Sequence, residues 1–134
     1  MFLTGGPRAR RRHEGAISSL AWSRDGTRLV TGGADKAIRF WEPPKTECTR
    51  SLPVGHEVDT VAWSPDGAYV TTILRDGKIR VSNANTGDTR GNRSRVPNPA
   101  VESPTCSACS PSGRYVALGY PDGSVQLHRA PNPP

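Results

Sequence analysis

The chain has 134 residues, only 34% of them apolar, with a formal net charge of +6. No apolar run approaches the roughly twenty residues a helix needs to cross a bilayer, and Met1-Phe2-Leu3 is too short for the apolar region of a signal peptide. Three cysteines, an odd number, make no disulfide framework, so an intracellular protein with no membrane association is expected.

In chain order, residues 1–12 form a Gly/Arg/Pro-rich tail carrying Arg8, Arg10, Arg11 and Arg12, expected to be flexible. Short strands are predicted at Ile17–Ser23, Arg28–Gly32, Ala37–Trp41 and Cys48–Leu52, separated by Gly- and Pro-bearing turns. The same series returns at Val58–Ser64, Tyr69–Ile73 and Lys78–Asn83. A fourth strand should follow Asn85-Thr86-Gly87, but Thr89–Pro99 is rich in Arg, Asn and Pro and makes a poor one. A third series covers Thr105–Ser110, Tyr115–Gly119 and Ser124–Arg129, and ends in a Pro-rich tail that cannot supply an outer strand. No helix longer than a turn is predicted.

These series are copies of one another. Trp22–Trp41, Trp63–Ser82 and Cys109–His128 align without a gap, at offsets of 41 and then 46 residues. Each opens on an S-x-x-G turn (Ser23–Gly26, Ser64–Gly67, Ser110–Gly113) and keeps an Asp at one register: Asp35, Asp76 and Asp122. A period in the forties with several short strands per unit is the pattern of a β-propeller blade. The basic charge lies outside the copies. Subtracting Arg8, Arg10, Arg11, Arg12, Arg90, Arg93 and Arg95 from the net +6 leaves −1, so no shaped basic groove is expected on the blades.

The residues resemble the WD-repeat family from about Glu14 to Arg129. The first unit is the fullest match: His13, Leu20-Ala21-Trp22-Ser23, Asp25-Gly26, Leu29-Val30-Thr31-Gly32, Asp35 and Ile38-Arg39-Phe40-Trp41-Glu42. The second keeps Gly55-His56 and Val61–Gly67 but has Ser82 at the tryptophan register. The third has Cys109 for the aromatic and His128 at that register. The resemblance implies an all-β partial propeller of about three four-stranded antiparallel blades, open or completed by a partner. Its parts would be a basic tail (1–12), blade 1 (13–53), blade 2 (54–88), an Arg/Pro-rich linker (89–104), an incomplete blade 3 (105–129) and a Pro-rich tail (130–134).

The resemblance also implies that His13, Thr31, Asp35 and Trp41 form a buried structural hydrogen-bond set. Blade 2 would form part of it from His56, Thr72 and Asp76, and blade 3 none, with Glu102 and Leu118 at the corresponding offsets. His, Thr and Asp superficially echo a hydrolase triad, but in this family they staple the blade. No catalytic residue, metal site or cofactor is expected. Cys106-Ser107-Ala108-Cys109 has no second cysteine pair, and residues three apart on a strand face opposite sides. No serine sits in a G-x-S-x-G elbow, and no Gly-rich phosphate loop is present.

The function implied is a non-enzymatic scaffold showing rim loops to protein partners in a larger assembly. Its candidate partner-binding rim is Arg12, Glu14, Lys36, Glu57, Arg75, Glu102 and Tyr120. Blade 1 is also similar to that of a THO-complex propeller, which implies as an alternative a subunit of an RNA-processing or mRNA-export complex, with RNA as a weaker partner. Three blades are fewer than the about four to eight of closed propellers. An isolated arc should therefore expose Leu20, Val61 and Trp22 or Trp63, and self-associate or bind a second polypeptide.

Overall fold

The computed structural model describes residues 13–45, 48–91 and 105–129, and every regular element in them is a strand. The first sheet holds β1 (Ile17–Trp22), β2 (Leu29–Gly33), β3 (Ala37–Trp41) and β4 (Cys48–Pro53), antiparallel in chain order. The second holds β5 (Val58–Trp63), β6 (Tyr69–Leu74), β7 (Ile79–Asn83) and β8 (Thr89–Gly91) in the same order. The third pairs β9 (Cys106–Cys109), β10 (Tyr115–Gly119) and β11 (Val125–Arg129). This is an open, partial propeller of three repeats.

Each S-x-x-G turn closes the first hairpin of its sheet by one device. Ser23 Oγ donates to Asp25 Oδ1 at 2.7 Å and accepts from the Arg28 N–H at 3.0 Å, while Gly26 takes a φ of 74°. Ser64, Asp66 and Tyr69 repeat these bonds at 2.7 and 3.0 Å. In the third turn Ser112 replaces the aspartate, and Ser110 Oγ meets its hydroxyl at 3.0 Å. The short polar side chains satisfy turn amides that a strand ladder cannot reach.

Period-two alternation then sorts each sheet into two faces. From the first sheet, Ala21, Val30, Ile38 and Phe40 point toward the second, which answers with Val61, Trp63, Val70 and Leu74 in one shared core. Phe40 meets Trp63 edge-on at 5.7 Å between ring centroids, a contact worth about 0.5–1.5 kcal/mol beyond its buried area. The opposite face of the second sheet sends Ile73 and Ile79 into a second core with Val116, Leu118 and Tyr120 of the third. The inner strands are also stitched directly. The Val61 N–H donates to Ser19 Oγ at 3.1 Å, Ser18 Oγ donates to the Val58 carbonyl, and Ser107 Oγ donates to Asp59 at 2.5 Å.

Two expectations change. The second sheet does have a fourth strand: Thr89 pairs with Ser82 and Gly91 with Arg80, so pairing continues past residue 88 into the stretch read as linker. Ser82 Oγ and Thr89 Oγ1, 3.0 Å apart, hold its start. Val61 is buried and Trp63 half-buried, because the first sheet covers them; Leu20 and Trp22, at the same registers one repeat earlier, are exposed.

Candidate functional site

The polar set of the first sheet is assembled from four local pieces. Thr31 sits on β2, Trp41 ends β3, Asp35 lies in the turn between those strands, and His13 precedes β1. His13 Nδ1 lies 2.9 Å from Asp35 Oδ2, and His13 Nε2 lies 2.5 Å from Thr31 Oγ1. The Trp41 indole N–H donates to the same Thr31 oxygen at 3.0 Å. One tautomer satisfies every group: Nδ1–H donates to the carboxylate, the Thr31 hydroxyl donates to Nε2, and its oxygen accepts from the indole. The Glu14 N–H donates to Asp35 Oδ2 at 3.1 Å. Burial would raise the Asp35 carboxyl, but the hydrogen bonds from His13 and from the Glu14 N–H together hold it below its ordinary value. His13, Thr31 and Trp41 are all buried.

That arrangement has no spare chemistry. Both imidazole nitrogens are engaged, and the threonine oxygen serves two donors. A nucleophile must be accessible and its base unencumbered, and neither holds here.

The second sheet does not rebuild the set. No hydrogen bond joins His56, Thr72 and Asp76; Thr72 Oγ1 and His56 Nδ1 are buried without a partner. Asp76 accepts from the Lys78 N–H of its own turn at 3.0 Å. His56 stands seven residues before Trp63, where His13 stands nine before Trp22, and Ser82, in the place of Trp41, meets Thr89 Oγ1 at 3.0 Å. In the third sheet Leu118 is buried in the apolar core, and His128 Nε2 lies 3.2 Å from Gln126 Oε1. Glu102 lies outside the described residues.

Among the rim candidates, Glu14 and Lys36 are exposed, and Lys36 has a φ of 64° at the tip of its turn. Glu57 and Arg75 face each other at 4.0 Å across the corresponding loops of the second sheet, an exposed pair of small energetic worth. Arg12 lies outside the described residues. Tyr120 is not a rim residue. It is buried against Ile73, Ile79, Val116 and Leu118, with its hydroxyl 3.4 Å from Gln126 Oε1, and burial, then the Asp122 charge, pushes its pKa up. Only a neighbouring sheet could reveal this, because the tyrosine lies just past the last residue of β10.

The two C-x-x-C cysteines separate as the strand period requires. Cys109 pairs with Val116, whose face turns to the second sheet, and burial pushes its thiol up to about 11; Cys106 pairs with Gly119 and is exposed. Among the described residues no group of three His, Cys, Asp or Glu side chains is placed to hold a metal ion.

Sequence reasoning missed Arg28. Its guanidinium lies 4.7 Å over the Trp63 ring, and its Nη2 donates to the Gly67 carbonyl, clamping the first sheet to the second. The signal was available: Arg28, Tyr69 and Tyr115 put a long planar side chain at one register of every repeat.

Comparison with known proteins agrees with this architecture. The family model for the WD domain, G-beta repeat, matches residues 7–42 and 46–82, more than half of the chain. The chain belongs to the WD-repeat family. Among its relatives, eukaryotic translation initiation factor 3 subunit I of Aspergillus fumigatus is 30% identical over 129 residues, covering 87% of this chain and 38% of that protein. Human transducin beta-like protein 3 is 28% identical over 129 residues, covering 88% of this chain and 16% of that protein. The periodic tryptophan protein 2 homolog of Schizosaccharomyces pombe is 33% identical over 76 residues, covering 56% of this chain and 9% of that protein. This WD-repeat chain thus spans well under half the length of the relatives it matches. Among its described residues no helix is long and apolar enough to cross a membrane.

Proposed function

We propose that this WD-repeat chain is a non-enzymatic, intracellular protein-interaction scaffold. Its rim loops, with Glu14, Lys36, Glu57 and Arg75 at their tips, are read by protein partners in a larger assembly. The observation that carries this reading is the saturation of His13, Thr31, Asp35 and Trp41: the residues nearest to catalytic chemistry are buried and spent on one another. The loops around them are exposed and mixed in charge, as a surface for specific recognition needs. The Aspergillus relative is named a subunit of a translation initiation factor, which supports a partner assembly within the translation apparatus. Self-association that extends the arc is part of the same reading.

The test compares wild type with a Glu14→Lys, Lys36→Glu, Arg75→Glu variant in quantitative affinity capture. The variant should melt like wild type and lose a defined set of partners. Capture of the same partners in the same amounts would contradict the rim as the binding surface. A second reading, RNA binding, is favoured by the arginines at 8–12 and 90–95. It predicts an RNA affinity that falls steeply with salt, and its slope should flatten when residues 1–10 are deleted.

A further inference from the structure

The junction between the first and second sheets defines a donor face and a receiver face. The donor face carries Arg28, Ile38 and Phe40; the receiver face carries Val61 and Trp63. The repeat registers give every sheet both faces, so each end of the arc shows the half of a junction that the other end lacks. At the first sheet, Leu20 and Trp22 stand at the registers of Val61 and Trp63. At the third, Tyr115, Val125 and Leu127 stand at those of Arg28, Ile38 and Phe40.

Among the described residues these registers are exposed where their counterparts at the junction are covered. Ile38 and Phe40 are 0% and 3% exposed, whereas Val125 and Leu127 are 69% and 75% exposed. Val61 is 4% exposed, whereas Leu20 and Trp22 are 59% and 52% exposed. The chemistry is conserved at each register: aliphatic for aliphatic or aromatic, Trp for Trp, and a planar Tyr115 where Arg28 lies over the indole. Ala117 and Gly119 take the places of Val30 and Gly32, which keeps the end face flat enough for close approach.

We propose that a second copy of this chain continues the interface. Its third sheet packs on the first sheet of its neighbour, with Leu127 against Trp22 as Phe40 lies against Trp63, and Tyr115 over the Trp22 ring. The contact is heterologous, joining two different patches. Two copies joined at both ends give six sheets, within the about four to eight of closed propellers. This inference deepens the self-association in the proposed function but uses the end faces and not the rim, so the rim variant above should leave it unchanged.

Sedimentation velocity on the full chain tests it, with Trp22→Glu and Leu127→Glu as single variants. Both side chains are largely exposed within one copy, so each variant should retain the wild-type circular dichroism; Trp22→Ser and Leu127→Ser are the milder pair if either does not. Wild type should sediment as two copies, and each variant alone should lose at least tenfold in association constant. Mixing the two variants should restore a 1:1 complex, because the Trp22 variant keeps an intact third sheet and the Leu127 variant an intact first sheet. A monomeric wild type would overturn the proposal. So would association that survives both substitutions, or variants that fail to complement when mixed.

Discussion

At the residue scale, the chain puts its most reactive-looking groups to structural use. Trp41 fills the corner of the first sheet with a buried ring and also supplies a donor to Thr31. Trp41→Ala should therefore destabilise by about 3–5 kcal/mol, the range for buried Trp truncations, as read by urea denaturation. Thr31→Val keeps the shape but leaves the indole N–H and His13 Nε2 without partners, and should cost about 1–3 kcal/mol. Wild-type stability in either variant would mean that the set does not hold the sheet. The turn aspartates add a dependence on pH. The Ser23 hydroxyl, then the Thr27 N–H and hydroxyl, hold the Asp25 carboxyl down at about 2, and Asp66 and Asp122 are lowered by the same kind of turn bonds. A carboxyl lowered on folding stabilises fully above its ordinary value near 3.8 and loses that contribution as pH falls through its folded value. Stability should thus decline from about pH 4 toward pH 2, and Asp25→Ser, the choice made at Ser112, should flatten the decline. A wild-type urea midpoint that does not fall between pH 5 and pH 3, or that falls equally in the variant, would contradict the turn geometry. The four-residue set was expected from the resemblance to the WD-repeat family, not from spacing alone. The burial of Tyr120 was not, since it depends on the second sheet. Nor was the orphaned Thr72 hydroxyl, since whether His56 reaches it depends on how the loop before β5 runs.

At the element scale, the strands and their turns were readable almost to the residue, because alternation and the S-x-x-G turns repeat three times. The exception is β8. Its sequence, Thr89-Arg90-Gly91, has little strand preference of its own, and the pairing with β7 comes from the ladder and the Ser82–Thr89 contact. Local propensity yields to tertiary context in this way when an edge offers unpaired backbone groups. Contact between neighbouring repeats also sets a strict size limit on β2. A Cβ on Gly32 would sit 2.6 Å from Val58 Cγ1 and 3.0 Å from Val58 Cβ, on a stiff, fully buried valine. Gly32→Ala should therefore cost about 1–3 kcal/mol by overpacking, despite alanine's smaller backbone entropy cost. A neutral or stabilised melt would show that β2 and β5 are not packed this closely.

At the scale of the whole molecule, three like sheets are laid face to face, each covering its neighbour's apolar residues. The repeat offsets and the exposed Leu20 and Trp22 were foreseeable from sequence. Which residues form the opposite end was not, because the assignment of Tyr115, Val125 and Leu127 to the outer face depends on β10 turning Val116 and Leu118 inward. Stability in such a stack is a sum over sheets and junctions, so the middle sheet, with two junctions, should open last. Amide hydrogen exchange on the Leu127→Glu variant, in which one copy's ends stay uncovered, measures this directly. Exchange should be slowest in β6 and β7, intermediate in β2 and β3, and fastest in β10 and β11. A middle sheet that exchanges as fast as the end sheets would contradict the stacked arc.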